Sequence, residues 1–393
     1  MSKKTVTLLS QGCRLNHAET ANLINEFTEC GYSEVALDKQ PDVVGINTCT
    51  VTENGDKDTL KLVRKINKTS KTSKIALIGC QSQIKKDSLL NLENVEWVIG
   101  NQEKKETVNL IATGNSGVHV TPFKKESFTQ PYSSFDPRHT RVNLKIQDGC
   151  DFYCAFCIIP FARGPARSRE FNNVLDDAKA LIQLGVKELV LTGINLGTYE
   201  CKNETFYSLL RALLELSPNT RIRISSIEPT TIGQELINIW HAYPNLCRYL
   251  HLPIQSATNT VLNAMRRKYT LEAYNEYLHQ VVSSVPNMCV GTDVIVGFPG
   301  ETNALFNQTV DYLTHAPIHY FHVFSYSERT MAHARKFDNK VPASKIKERS
   351  AILRALSKEK WDKYRAQYKE EERLVLFETT KGDDWVGSTE HFV

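Results

Sequence analysis

Apolar residues in this chain fall into short runs separated by polar, helix-periodic stretches. TVTLLSQG (5–12), DVVGINT (42–48), KIALIG (74–79) and VEWVIG (95–100) are brief, rich in Val and Ile, and punctuated by Gly, which is the pattern of buried strands. Between them, helical spacing covers 16–30, 53–69 and 83–93. Strand alternating with helix predicts a parallel α/β sheet with helices on its faces. Residues 113–138 then lose periodicity and turn rich in Ser, Pro and Gly, and read as a linker or an extended crossing segment. A second alternating series follows. RVNLKIQDG (141–149), ELVLTGIN (188–195), RIRISSIEP (221–229), YLHLPIQSA (249–257), CVGTDVIVGFPG (289–300) and YFHVFSYS (320–327) are six strand candidates. Helices are predicted between them near 171–185, 205–216, 231–243, 259–284 and 301–315. Six such repeats predict an incomplete parallel (βα)6 barrel, short of the closed eight-stranded form. A helix laced with Lys, Arg and Glu spans 343–372 and reads as a solvated surface helix. The tail places the turn GDD between two β-like runs. The expected division is a first α/β domain over 1–112, a linker over 113–138, a partial barrel with its C-terminal helix over 139–370, and the start of a small β module over 371–393.

The chain has 393 residues, 41% apolar and 23% charged, which excludes a disordered or fibrous protein. No apolar window approaches the ~20 residues of a membrane span, and the first residues carry no secretory signal, so the expected place is the cytoplasm. A net charge of +4 permits a nucleic-acid partner without arguing for one. Ten cysteines are too few for a disulfide scaffold. In a reducing compartment clustered thiols are metal ligands or catalysts more often than disulfides.

Three of those thiols sit within eight residues, Cys150-Asp-Phe-Tyr-Cys154-Ala-Phe-Cys157, directly after a predicted strand. A loop can wrap three sulfurs around one inorganic core, and Phe152, Tyr153 and Phe156 would shield it from water. Structural zinc wants four protein ligands, and the next cysteine is Cys201, so zinc requires a distant fourth ligand. On a four-iron cluster, three thiolates leave one iron open to a substrate or cofactor. Cys13, Cys49 and Cys80 each lie just past the carboxyl end of a predicted strand. Those ends share one edge of a parallel sheet, where α/β folds place ligands. A second open trio is the sharper reading; ordinary packing of buried thiols is the other. Cys30, Cys201, Cys247 and Cys289 read as packing residues.

The C-x3-C-x2-C loop followed by IIPFARGPARSR (158–169) resembles the radical S-adenosylmethionine superfamily. That likeness implies a [4Fe-4S] cluster on Cys150, Cys154 and Cys157 that binds S-adenosylmethionine and cleaves it to a 5′-deoxyadenosyl radical. GCRLNHAET (12–20), INTCTVTENGD (46–56), IGCQSQ (78–83), LTGINLGTY (191–199), RISSIEP (223–229), HLPIQSATNTVLNAMRRKYT (251–270) and DVIVGFPGET (293–302) look like the methylthiotransferase family within it. The resemblance implies an N-terminal methylthiotransferase domain, with an auxiliary [4Fe-4S] cluster on Cys13, Cys49 and Cys80 holding the sulfur to be inserted. It also implies a radical barrel and a C-terminal RNA-binding TRAM module, of which 371–393 is an incomplete piece. GCRLN, NTCTVT, GINLG and RIRISSIEP look most like the branch that methylthiolates C2 of N6-threonylcarbamoyladenosine-37 in tRNA. The isopentenyladenosine-37 branch reads closer to GCQMN, NTCSIR and GQNVN, and a third branch modifies a ribosomal-protein aspartate. A non-catalytic iron–sulfur electron carrier would show full ligation, against the three-plus-three count.

The same resemblance places Gly193 and Asn195 at the amino group of S-adenosylmethionine; Ser225, Ser226 and Gln255, at strand ends facing the same mouth, are expected at its methionine or ribose, and Val296 and Gly297 along its adenine, the other reading of each being a strand-end turn residue. Arg163, Arg167, Arg169, Arg266, Arg267 and Lys268 are the expected RNA contacts, since guanidinium suits phosphate. A flavodoxin- or ferredoxin-type donor would supply electrons.

Overall fold

The computed structural model describes residues 3–131, 133 and 140–392. Strands β1 (Thr5–Ser10), β2 (Ser33–Glu34), β3 (Val43–Thr48), β4 (Lys74–Gly79), β5 (Val95–Ile99) and β6 (Gly117–His119) form one parallel sheet in the order β2-β1-β3-β4-β5-β6. Every residue of β3 is buried, as a central strand covered on both faces requires. Leu23 and Phe27 of helix α1 (Arg14–Glu29) pack on one face against Ala76, Ile78 and Trp97. Val63 and Ile66 of helix α2 (Glu53–Thr69) pack on the other against Val44, Ile46 and Leu77. The Thr52 hydroxyl caps α2 by accepting from the Gly55 N–H.

β6 corrects the expectation for residues 113–138. Gly117–His119 pairs with Trp97–Ile99, so part of the assumed linker completes the first sheet. Three residues with Val at their centre are too short for a periodic signal. Residues 132 and 134–138 of that segment lie outside the described residues.

The barrel strands are Arg141–Lys145, Glu188–Thr192, Arg221–Ile224, Tyr249–His251, Cys289–Val296 and Tyr320–Ser325, first to sixth. They pair in parallel as two three-stranded sheets, joined by the bridges Ile222↔Leu246 and Ser226↔His251. The result is an open, curved six-stranded half-barrel. Outward residues such as Leu144, Leu191, Ile224, Val290 and Val294 meet the surrounding helices in the largest core, and their neighbours in sequence line the lumen. The helix expected over 259–284 is two, Asn259–Ala264 and Leu271–Ser284. Arg266 at φ 58° breaks it, and Thr270 caps the second piece. This break carries Arg267 inward.

The helix Ala343–Ala366 is not simply solvated. Its Ser357 hydroxyl bonds both the N–H and the C=O of Phe321, covering the free edge of the sixth strand. A terminal hairpin, Leu376–Lys381 with Asp384–Ser388, turns at Gly382. Arg141 pairs with Glu378 at 2.5 Å, Arg223 donates to the carbonyls of Thr389 and Glu390, and Phe392 packs on Tyr249. Arg141 and Tyr249 are the first residues of their strands, and Arg221, which starts a third, donates to the Leu374 and Ser388 carbonyls, so the tail floors the end of the barrel opposite the cysteine loop.

Candidate iron–sulfur and substrate site

The loop after the first barrel strand is fixed by its backbone. Gly149 sits at φ 74°, and a Cβ there would lie 2.0 Å from the Pro165 carbonyl oxygen, so only glycine fits. The Cys150 N–H donates to the Gly164 carbonyl (3.1 Å), and Ala155 is pinned between Met265 and Ala334 by two 2.8 Å bonds. The Ile159 N–H points at Cys157 Sγ (3.4 Å), and the Arg267 guanidinium at Cys154 Sγ (3.2 Å). Arg267 is also paired with Glu228, whose carboxyl burial pushes up. Burial pushes the Cys150 thiol up to about 11 and Cys157 to about 12. The protein by itself therefore holds neutral thiols, and thiolate ligation requires a cationic core.

Cys13, Cys49 and Cys80 follow β1, β3 and β4 and run from exposed to buried. Gly12, at φ 91°, lets the first loop approach so closely that a Cβ would lie 2.6 Å from Cys49 Cβ. The Asn16 amide donates to the Gln11 carbonyl (2.7 Å) and the Thr48 carbonyl (3.0 Å), tying these two loops together. Burial raises the Cys49 thiol to about 11, and Cys80 and Cys13 lie near enough to add to the rise. The Asn101 amide donates both to Cys80 Sγ (3.4 Å) and to the Ala162 carbonyl (2.6 Å) just beyond the other cysteine loop.

The spacing within each trio tests what it can hold. Among the described residues, only His251, Asp293 and His322 bring three ligand atoms all within 4.8 Å of one another. Around a single tetrahedral zinc at ~2.3 Å, sulfurs stand ~3.8 Å apart. Both cysteine trios are more open than that, and they suit a multi-iron core better than one ion.

Of the residues expected around S-adenosylmethionine, Asn195 is the most telling. Its side chain is 1% exposed, and neither amide atom has a partner among the described residues. The Gln147 amide oxygen accepts from the Ile194 and Asn195 N–H groups at 2.9 Å each, shaping the turn after Gly193. Ser225 and Ser226 end the third strand half-buried, and Gln255, at φ 65°, bridges Val294. The Val296 side chain is in the outer core, and a Cβ on Gly297 would strike Ile346 at 2.3 Å. Strand alternation puts Ile295 toward the lumen instead, against the Ala155 and Phe156 cluster.

The arginines also need correction. Arg163 and Arg169 are 0% exposed and Arg267 is 8% exposed, each in an internal ion pair, so none offers phosphate a free guanidinium. Arg167 lies on the Phe123 ring and donates to the Arg163 carbonyl. Arg266 and Lys268 are exposed. Arg266 lines a cavity of about 420 Å3 beside Tyr153 and Cys157, with His333, Arg335 and Lys336. Those last three lie on a single 3-10 turn, His333–Lys336, that sequence periodicity does not single out.

Arg163 joins the two domains. It donates to Glu19 (3.0 Å), Asp148 (2.9 Å) and Asn16 (2.6 Å), and Lys145 and Lys104 reach the same Glu19 at 2.7 and 2.5 Å. Burial alone would raise the Glu19 carboxyl, but the Arg163, Lys104 and Lys145 cations override it and hold it well below its usual range. Arg329 adds a second tie to Asp56 at 2.8 Å. The ligand-bearing edge of the first sheet thus faces the barrel mouth.

Two family models match: Radical SAM superfamily over residues 144–313, and Uncharacterized protein family UPF0004 over residues 5–100. The chain is 35% identical to the threonylcarbamoyladenosine tRNA methylthiotransferase MtaB of Bacillus subtilis (strain 168), covering 99% of this chain and 89% of that protein. It is 30% identical to a tRNA-2-methylthio-N(6)-dimethylallyladenosine synthase of Azobacteroides pseudotrichonymphae genomovar. CFP2, over 89% of this chain and 81% of that one. Its fold is similar to that of the radical S-adenosylmethionine methyltransferase TsrM from Kitasatospora setae, solved with cobalamin and a [4Fe-4S] cluster, at TM-score 0.62 and 15% identity over 82% of this chain and 75% of that one. Among the described residues no helix is long and apolar enough to cross a membrane. The chain belongs to the radical S-adenosylmethionine methylthiotransferase family.

Proposed function

We propose that this enzyme methylthiolates C2 of N6-threonylcarbamoyladenosine at position 37 of tRNA, in the cytoplasm. The observation that carries the reading is the pair of cysteine trios on facing edges, with Asn101 touching both sides. Cys150, Cys154 and Cys157 would hold one [4Fe-4S] cluster, and Cys13, Cys49 and Cys80 an auxiliary one. When bound, these groups supply radical generation from S-adenosylmethionine and the sulfur to be inserted. The protein's own task is position and exclusion of water. Arg267 sets charge beside Cys154, Asn195 offers a donor and an acceptor to a polar ligand, and Phe156 packs over the cluster loop. Arg266, His333, Arg335 and Lys336 make the basic rim that an anticodon loop would meet, and Lys268 is an exposed cation two residues from Arg266. A flavodoxin- or ferredoxin-type protein would deliver electrons.

The test is anaerobic reconstitution with iron and sulfide counting, then nucleoside mass analysis of tRNA carrying threonylcarbamoyladenosine. About eight irons per chain are expected. Cys154→Ala should abolish 5′-deoxyadenosine formation. Cys49→Ala should retain part of it while losing the methylthio product. Normal product from Cys49→Ala would remove the auxiliary site.

A further inference from the structure

The barrel lumen holds a polar group that the proposed chemistry leaves unused. Leu250, Leu252, Val290, Val294, Phe321 and Val323 belong to the outer core, so His251, Asp293 and His322 between them face inward. His251 Nε2 lies 2.9 Å from Asp293, and the two imidazoles stack at 5.6 Å. Opposite them, Asn143 and Val190 are register partners with the same inward aim.

Arg14 enters this space from the other domain. It is the first residue of α1, directly after Cys13, and it shares a cavity of about 180 Å3 with Asn143, Val190 and the paired Arg141 and Glu378. A whole small ligand needs ~300 Å3 or more, so this space fits one functional group of a larger molecule. The charge of Arg14 is felt across the lumen at His322, whose basicity burial and His251 also depress. The nearby carboxylates are already committed: Glu378 to Arg141 at 2.5 Å, Glu188 to Arg223 at 2.6 Å, and Asp293 to His251. Among the described residues none of them pairs with Arg14. The lumen therefore presents one uncommitted guanidinium, seconded by an imidazole, and calls for an anion.

We propose that Arg14, with His322, binds the free carboxylate on the N6 substituent of the substrate adenosine and so selects a threonylcarbamoyl group over an apolar isopentenyl one. This rests on the substrate reading above and names the residues that enforce it. The discrimination works in both directions. A carboxylate gains a charge-assisted bond, whereas an apolar group makes none and leaves the guanidinium to water.

The test compares wild type, Arg14→Gln, Arg14→Lys and His322→Leu on anticodon stem-loops bearing threonylcarbamoyladenosine, its carboxylate methyl ester, or isopentenyladenosine. KM, kcat, loop affinity and iron content are all read. Wild type should favour the acid over the ester at least tenfold in KM. Arg14→Gln should raise KM for the acid about 10- to 100-fold at unchanged iron content, lose the acid-over-ester preference, and narrow the gap to the isopentenyl loop. Arg14→Lys should recover part of the preference. His322→Leu, remote from Cys13, gives the same readout if Arg14→Gln loses iron. Wild type that treats acid and ester alike, or Arg14→Gln that keeps the preference, overturns the inference and leaves the substrate reading standing. Wild type active only on the isopentenyl loop overturns both.

Discussion

Replacing Arg163 by Met tests the electrostatic joint between the domains. Met keeps most of the stem and removes a guanidinium that donates to Glu19, Asp148 and Asn16 while 0% exposed. Removing one partner of a buried ion pair costs ~3–5 kcal/mol, because the other charge stays desolvated. Lys145 still reaches both carboxylates, at 2.7 and 2.8 Å, and Lys104 still reaches Glu19, so the low end applies, about 3 kcal/mol. At ~2–4 °C per kcal/mol that is a fall in Tm of roughly 6–12 °C, read by calorimetry on the reconstituted protein at pH 7. The acid limb supplies the sign. Glu19 is depressed in the folded state, so its contribution is complete above the unfolded carboxylate value of ~4.3 and is lost as pH falls through the folded value. Arg163→Met already lacks part of it, so the Tm gap to wild type should shrink between pH 7 and pH 3. A cost under ~1 kcal/mol at neutral pH, or a gap that widens in acid, would refute the reasoning.

Arg267→Gln removes the cation donating to Cys154 Sγ. It should lower the cluster's reduction potential by ~40 mV for each ~1 kcal/mol lost from the reduced state, followed by EPR-monitored titration; an unchanged potential would show that the contact is only structural. Asn195→Ala should weaken S-adenosylmethionine binding about tenfold by isothermal titration, one charge-assisted bond's worth, with iron content unchanged. Gly149→Ala should displace the cysteine loop, because its new Cβ meets the Pro165 carbonyl, and so lower iron content by about four per chain.

Much of the fold was legible because its signals are local. Most strands of both domains are short apolar runs, and Cys13, Cys49 and Cys80 sit where three of those runs end. The trio Cys150, Cys154 and Cys157 was plain because eight consecutive residues hold it. What was missed depends on partners distant in sequence. Arg163 and Arg169 look like surface cations, and only tertiary structure reveals Glu19, 144 positions away, and Asp177 as their partners. The Val296 side chain turns to the outer core and Ile295 inward, an alternation that a continuous apolar run does not reveal. Arg266 breaks a run that reads as one helix, because the left-handed backbone at that residue leaves no compositional mark. Glu228 sat inside a recognised motif but gained meaning only from Arg267 beside it.

The joint of desolvated charges between Glu19, Asp148 and Arg163 has a mechanical consequence. Parting the two halves would break several charge-assisted bonds at once, so they behave as a fixed gauge that sets the gap between the cysteine-bearing edges. With that gap held, a nucleotide base reaching it would do so out of its own stack, and the energy of unstacking would fall on the nucleic acid, where it is least costly for a base already in a loop.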